Sequence, residues 1–271
     1  MRGVEITTVV GCGLDCTFCP QHILRARYKG DKYMSLNMFG ALLANIPKDV
    51  VISFCGFAEP WSNSLATKFL RMADDMGHET RVYTTMMMGM TKGDLLEIFK
   101  LRPSEFHLHL PDQNLNMVAR YTADYFDMLE MLKLEAMANP DFHARIRIEL
   151  HGPALEEHFW WTQEFPTRYD LQNRAGNLPM GRGPAFVHGN LRCNVVPEER
   201  EVWPDWPVLL PNGDLILCCQ DYGLEHVLGN LIESTYDEII HGPVAENIRQ
   251  ALINEKIPSL CRKCAYAKEV V

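Results

Sequence analysis

The 271-residue chain has no apolar run approaching the ~20 residues that a membrane-spanning helix needs. Its first ten residues, MRGVEITTVV, hold one Arg and no long apolar stretch, so they do not read as a secretory signal. Positive charge is in deficit. The 26 Lys and Arg stand against 35 Asp and Glu, and the net charge of −9 argues against general attraction to nucleic acid or anionic membranes. Together these absences point to the cytoplasm, with no nucleic-acid partner and no membrane. Internal repeats and low-complexity segments are also missing. The most informative gap is in the cysteines, because none occurs between 56 and 192. Of nine, three lie at 12–19, one at 55 and five at 193–264. In a reducing compartment cysteines are more often metal ligands or buried thiols than disulfides. The uneven placement predicts two metal centres, one at each end.

What is present is enough for a large core. With 47% hydrophobic residues, the chain suits one main domain with a smaller one attached. Over the first ~150 residues β-rich runs alternate with helical patterns, the signature of βα units. Strands are predicted at 4–10, 50–54, 81–85, 106–110 and 145–150. Helices are predicted at 34–46, behind Ser35 as N-cap, and at 64–76, 93–101 and 118–138. That gives five repeats, with room for a sixth at 155–190. The expected fold class is α/β, a partial (β/α)6 barrel, since six repeats are too few for eight strands. In such layouts functional groups gather on loops at the C-terminal ends of strands. From ~190 the texture changes. VWPDWPVLLPNGDLILCCQDYG (202–223) carries prolines, an Asn-Gly turn and apolar alternation, which predicts a β-hairpin. A helix is expected at 235–253. The division falls near 186–192, giving domains 1–188 and 189–271.

GCGLDCTFCP (11–20) places Cys12, Cys16 and Cys19 in a loop directly after the first strand. Zinc sites are usually built from paired C-x₂-C knuckles, and a C-x₃-C-x₂-C run without a partner knuckle fits that poorly. A short glycine-containing loop can instead wrap a cubane iron–sulfur cluster with three thiolates, leaving one iron open. With the aromatic Phe18 before the last Cys, the loop resembles the radical S-adenosylmethionine (SAM) superfamily. The resemblance implies that the open iron is chelated by the methionine moiety of SAM. The reduced cluster then cleaves SAM to a 5′-deoxyadenosyl radical, which takes a substrate hydrogen. SFCGFAEP (53–60) resembles that family's Gly-Gly-Glu-Pro loop, with Gly56, Phe57, Ala58 and Glu59 in the slot that holds the methionine amino group. Phe57 and Ala58 depart from its glycines. YTT (83–85) falls where relatives carry Thr-Asn-Gly, which implicates Thr84, while Thr85 and Met86 break the pattern. His109 matches a position facing SAM, and His107 shares its strand face. Cys55, at a strand end, reads as a small buried residue.

Cys193, Cys218, Cys261 and Cys264 supply four thiolates at the other end. Taken alone, these four cysteines read first as a zinc Cys₄ site. Beside the first motif they resemble the twitch extension, a short relative of the SPASM domain, in which such a set binds one auxiliary [4Fe–4S] cluster. The whole architecture is then a partial barrel with a C-terminal hairpin-plus-helix auxiliary-cluster domain. Cys219 is placed on the opposite strand face from Cys218 and left out of the ligand set. The tail and NRAGNL (173–178) resemble the twitch-bearing aminocyclitol dehydrogenases of the superfamily, which implies a place for Arg174 near SAM and substrate. A guanidinium there also suits bidentate contacts to a carboxylate or hydroxyls.

The cofactors implied are two [4Fe–4S] clusters and SAM, with a small-molecule or peptide substrate and a flavodoxin- or ferredoxin-like electron donor. Dehydrogenation of a sugar or aminocyclitol is the leading expectation. A peptide-modifying maturase and a two-site metal or redox module without enzymatic activity are the alternatives. Full four-Cys ligation favours electron transfer at the second cluster, since no iron is left for substrate. Arg147, Glu149 and His151 alternate with Ile148 and Leu150 and so share a strand face, which makes Arg147 and Glu149 candidate pocket residues with catalytic roles.

Overall fold

The computed structural model describes residues 2–179, 181, 183–193 and 206–270. The barrel half runs β1 (Arg2–Ile6), α1 (Gln21–Arg27), α2 (Leu36–Leu43), β2 (Val50–Phe54), α3 (Ala66–Asp75), β3 (Thr80–Thr84), α4 (Lys92–Leu101) and β4 (Glu105–His109). It continues with α5 (Tyr125–Ala138), α6 (Pro140–His143), β5 (Ile146–Leu150), α7 (Phe159–Glu164) and β6 (Thr167–Tyr169). The remaining elements are β7 (Leu191–Cys193), β8 (Val208–Leu209), β9 (Asp214–Ile216), β10 (Val227–Asn230), α8 (Tyr236–Ile240), α9 (Pro243–Ile253) and β11 (Ala267–Glu269). Residues 202–205 of the expected hairpin segment lie outside the described residues. No described helix is long and apolar enough to cross a membrane.

Strands β1 to β6 pair in parallel in chain order, the sheet of a partial barrel. Parallel strands covered on both faces are apolar throughout, and all five residues of β2, VVISF, are buried. Helices pack outside through their apolar faces, as Phe39, Phe69 and Phe54 do around α2, α3 and β2. Helix α2 starts where its cap predicts, Ser35 Oγ accepting from Met38 N at 3.2 Å. The sixth repeat is present as α7 and β6.

Three boundaries differ from the sequence expectation for identifiable reasons. Strand β1 ends at Ile6 because its partner β2 ends opposite it, Ile6 pairing with Phe54. The helix expected from 118 begins at Tyr125, because the chain before it is tied to its neighbours: Arg120 N donates to Met87 Sδ at 3.4 Å and the Arg120 guanidinium to Asp15. Upstream of it Asp112 accepts from Asn114 N at 3.0 Å, Asn116 N at 3.3 Å and Met117 N at 2.8 Å, which fixes the turn at 112–117. The helix expected at 235–253 is two helices. Pro243 at the start of α9 cannot donate to the preceding turn and holds Gly242 extended, at φ −74° and ψ 171°.

Beyond residue 189 the chain returns to the barrel. Strand β8 lies parallel to β1, with Glu5 opposite Val208 and Ile6 opposite Leu209. Strands β9 and β10 follow antiparallel, so the predicted hairpin extends the barrel sheet past its first strand. A small sheet of β7 and β11 sets Cys193 opposite Ala267, three residues past Cys264. This return brings the far cysteines to the mouth of the barrel.

Candidate active site and cysteine centres

The cysteine loop leaves the C-terminal end of β1 and is held by its neighbours. Thr17 N donates to Asn116 O at 2.9 Å, tying the loop to the turn organised by Asp112. Cys12, Cys16 and Cys19 stand near enough that burial and the other two thiols' charges raise the Cys16 pKa, while burial also raises that of Cys12. Thiolates gathered in such an interior require a cation to hold them. Among the described residues no three His, Cys, Asp or Glu side chains form a group able to hold a single metal ion. A cluster makes a different demand, since its irons lie apart and each takes one thiolate.

Next to the loop is a small cavity of about 150 Å³, walled by the three cysteines, Phe18, Gly56, Phe57, Ala58, Glu59, Thr84, His109 and Arg174. The residues expected to hold SAM are therefore adjacent. Gly56 has φ +64°, and a Cβ there would lie 2.3 Å from Thr7 Oγ1 and 2.9 Å from Thr7 N, so the turn needs glycine. Phe57 occupies a glycine slot of the family pattern without blocking the turn. Its N–H donates to Thr7 Oγ1 at 3.1 Å, and its ring packs on Tyr222 with centroids 4.7 Å apart. Glu59 accepts from Thr84 Oγ1 at 2.7 Å, Thr85 N at 2.8 Å and Thr85 Oγ1 at 2.9 Å. Burial raises its pKa, and these donors pull the other way.

A larger cavity of about 460 Å³ shares Phe18, Cys55, Gly56, Tyr83, His109, Arg174 and Tyr222 with the first. Its lining also includes Cys193, Cys218, Cys261 and Cys264. The Cys261 thiol is pushed up to about 12 and that of Cys264 to about 11, by burial first and then by neighbours that include Cys193. Cys218 is likewise raised, by burial and the charges of Cys219, Cys261 and Cys264. The four thiols expected to act together are thus brought together. Cys219 also lines this cavity; burial raises its thiol, Glu5 adding to the rise and Arg174 opposing it, and Gln220 Nε2 lies 3.8 Å from its sulfur. Strand β9 ends at Ile216, so a turn, and not strand alternation, separates it from Cys218.

Two unpartnered nitrogens test whether this cavity suits a polar occupant. His109 Nε2 and His151 Nε2 are buried without a hydrogen-bond partner, although both rings line the wall. Buried polar groups are normally bonded, so these fit a ligand that supplies the missing partners. Burial pushes His109 down to about 3, leaving a neutral ring. Arg174 stays charged: burial opposes this, but Tyr222, Cys219 and Cys19 raise its pKa. Its Nε donates to Phe18 O at 3.1 Å.

Glu149 lines the larger cavity and is positioned by His107, whose Nδ1 lies 3.2 Å from Glu149 Oε1 and whose Nε2 lies 2.8 Å from Glu105 Oε2. Arg147 is not brought to this wall. It sits two residues, or about 6.6 Å of strand, nearer the N-terminal end of β5. Its guanidinium turns back to Ala144 O at 2.7 Å and Ile146 O at 2.8 Å.

The pattern reading passed over several residues. Glu5 faces the large cavity from β1, bonded to the Cys55 and Cys219 thiols. Burial pushes its carboxyl up to about 7, against those bonds and Arg174's charge. The only signal in the sequence was an acid inside the apolar run VEITTVV. Arg262, between the last two cysteines, is 1% exposed. It donates to Val187 O and Gly189 O at 3.0 Å each and to Ala251 O at 2.8 Å, clamping the C-x₂-C turn to the chain beside β7 and to α9.

Residues 205–265 match the SPASM family, an iron–sulfur cluster-binding domain. No curated protein matches the chain by sequence. Among solved structures, the chain is similar to BtrN in complex with AdoMet and 2-DOIA, at 18% identity and a TM-score of 0.65, covering 100% of this chain and 94% of that one. It is similar to Streptococcus suis SuiB bound to precursor peptide SuiA, at 16% identity and a TM-score of 0.56, covering 98% and 70%. It is similar too to anSMEcpe with bound AdoMet, at 14% identity and a TM-score of 0.54, covering 98% and 85%. The fold is therefore a partial barrel shared with structures solved with bound AdoMet, and its C-terminal part is the stretch that matches the SPASM family. That is the architecture implied by the resemblance to the radical SAM superfamily.

Proposed function

We propose that the chain is a radical SAM enzyme with two [4Fe–4S] clusters that oxidises a small polar substrate such as a sugar or aminocyclitol. Cys12, Cys16 and Cys19 hold one cluster in the barrel, and Cys193, Cys218, Cys261 and Cys264 hold the other in the tail, with domains at 1–188 and 189–271. The observation that carries this reading is the meeting of the cavities: the larger one is lined both by Phe18, His109 and Arg174, which it shares with the smaller, and by the tail cysteines. SAM bound at the first cluster supplies a 5′-deoxyadenosyl radical, the hydrogen-abstracting agent.

The chain's own residues do the rest. Gly56 to Glu59, with Thr84, shape the pocket for the methionine end, while Phe18 and His109 line the passage to the larger cavity. Arg174 remains a cation and orients a polar substrate. Oxidation of an H–C–OH group removes a C–H hydrogen atom, a proton and an electron; a wall carboxylate would take the proton, and the two cofactors, when bound, would supply the acceptors for the hydrogen atom and the electron. The carbonyl product balances the count. Glu5 and Glu149 are the wall carboxylates placed to take that proton, and Glu5's pKa of about 7 suits general-base work at neutral pH. A flavodoxin- or ferredoxin-type donor in the cytoplasm supplies the first electron.

Anaerobic reconstitution, iron counting and a 5′-deoxyadenosine assay with dithionite and SAM test the core of this reading. The expected result is roughly eight irons per chain, for two cubanes, and SAM-dependent nucleoside release. Zinc without iron in freshly isolated anaerobic protein would overturn it. A second reading, peptide modification, is favoured by the structures of SuiB with precursor peptide SuiA and of anSMEcpe with Cp18Cys peptide. Transfer of deuterium from labelled candidate substrates into 5′-deoxyadenosine separates the two.

A further inference from the structure

Tyr222 belongs to the tail, three residues past Cys219, yet its hydroxyl oxygen lies 3.2 Å from the sulfur of Cys19 at the other end of the chain. Gln21 Nε2, on α1, lies 3.3 Å from the same sulfur. As an iron ligand Cys19 is a thiolate without a proton, so both contacts run one way, with the side chains donating to sulfur. The phenol is not free to swing. Tyr222 is 4% exposed, its ring rests on Phe57, and the Arg174 guanidinium carbon sits 5.9 Å from the ring centroid. Its backbone is part of a turn pinned by Asp221, which accepts from Glu225 N at 2.9 Å and His226 N at 2.8 Å. The hydroxyl's position is thus set by the same tail segment that carries Cys218.

Reducing a cluster adds negative charge that spreads onto its sulfurs. A hydrogen bond donated to a ligand sulfur stabilises the reduced form more than the oxidised one and raises the potential. We propose that Tyr222 is a positioning and tuning residue for the barrel cluster: its hydroxyl bond to Cys19 raises that cluster's reduction potential, making ready reduction of the SAM-cleaving centre depend on a docked tail. The inference rests on the reading of Cys19 as a cluster ligand. It adds that the tail acts on the first centre directly, besides holding its own.

The test is an EPR-monitored redox titration of reconstituted protein without SAM, comparing the parent with Tyr222→Phe. The expected result is unchanged iron content, an unchanged tail-cluster potential, and a barrel-cluster reduction equilibrium at least tenfold less favourable, which is ~59 mV for one electron. An unchanged barrel-cluster potential in an iron-replete variant would overturn the proposal. Phe57→Leu removes the ring under Tyr222 but leaves the hydroxyl. It should shift the potential less, and a shift equal to that of Tyr222→Phe would assign the effect to packing and overturn the bond. If Tyr222→Phe fails to hold iron, 3-fluorotyrosine placed at 222 keeps the hydroxyl as a stronger donor. The potential must then rise, and no rise sinks the idea. Cys19→Ala keeps the two levels apart. If that variant retains the iron of both clusters, the ligand assignment has failed, whatever Tyr222 does.

Discussion

The two cysteine centres are assembled in opposite ways. At the front, Cys12, Cys16 and Cys19 are gathered within eight residues by one loop, and the rest of the fold only braces it. At the back, Cys193 arrives on β7, Cys218 from the turn after β9, and Cys261 and Cys264 from the turn before β11. The front centre therefore depends on local spacing, and the back centre on a sheet pairing, a clamp and a turn made by residues far apart. Damage to the first should act on chemistry, and damage to the second on assembly as well.

The largest expected effects come from breaking each centre in turn. Cys16→Ala should lose about half of roughly eight irons and all SAM cleavage, read by iron assay and 5′-deoxyadenosine release. Cys261→Ala should lose a similar share of iron yet retain SAM cleavage while product disappears. Equal loss of nucleoside in both variants would erase the functional distinction between the sites. Arg262→Met tests the difference in assembly. It leaves the carbonyls of Val187, Gly189 and Ala251 without their donor, which should cost about 2–4 kcal/mol in denaturant unfolding and release tail iron before barrel iron. Gly56→Ala makes the matching change at the front. It strains a residue at φ +64° and drives a Cβ against Thr7, for a loss of about 1–3 kcal/mol.

The smallest effect concerns the wall between the centres. Burial lowers the His107 pKa, but bonds to Glu105 and Glu149 outweigh it and leave the folded value above the ordinary 6.5. A proton bound more tightly in the folded state stabilises it fully below the unfolded value, and the gain is lost as pH rises through the folded one. Stability should therefore fall as pH rises from about 6.5 through that raised value. His107→Ala should flatten that slope, as thermal melts across pH 6 to 9 would show.

Much of the barrel was legible, because continuous apolar runs such as VVISF and capped periodic helices such as the one behind Ser35 carry their own local signals. The start of α5 was not, since Arg120, inside the stretch that periodicity assigned to a helix, is tied to Met87 and Asp15 in other parts of the chain. Arg147 and Glu149 were correctly read as neighbours on one strand face, but a face does not say how deep each residue sits. Glu149 reaches the cavity and Arg147 stays below it. Tyr222 and Arg262 were invisible as site residues, because each matters through partners elsewhere in the chain, and Glu5 left only the signal of an acid inside an apolar run.

The sequence by itself determined the front centre: three thiols at C-x₃-C-x₂-C spacing after a strand, and a glycine where the next loop must take a positive φ. Spacing within one loop is a local property, limited by the few residues between ligands. Only the tertiary structure decided that β8 lies beside β1, that four distant thiols share a cavity with the barrel wall, and that a tail tyrosine touches Cys19. Those contacts come from packing between elements as much as two hundred residues apart, which no local pattern encodes.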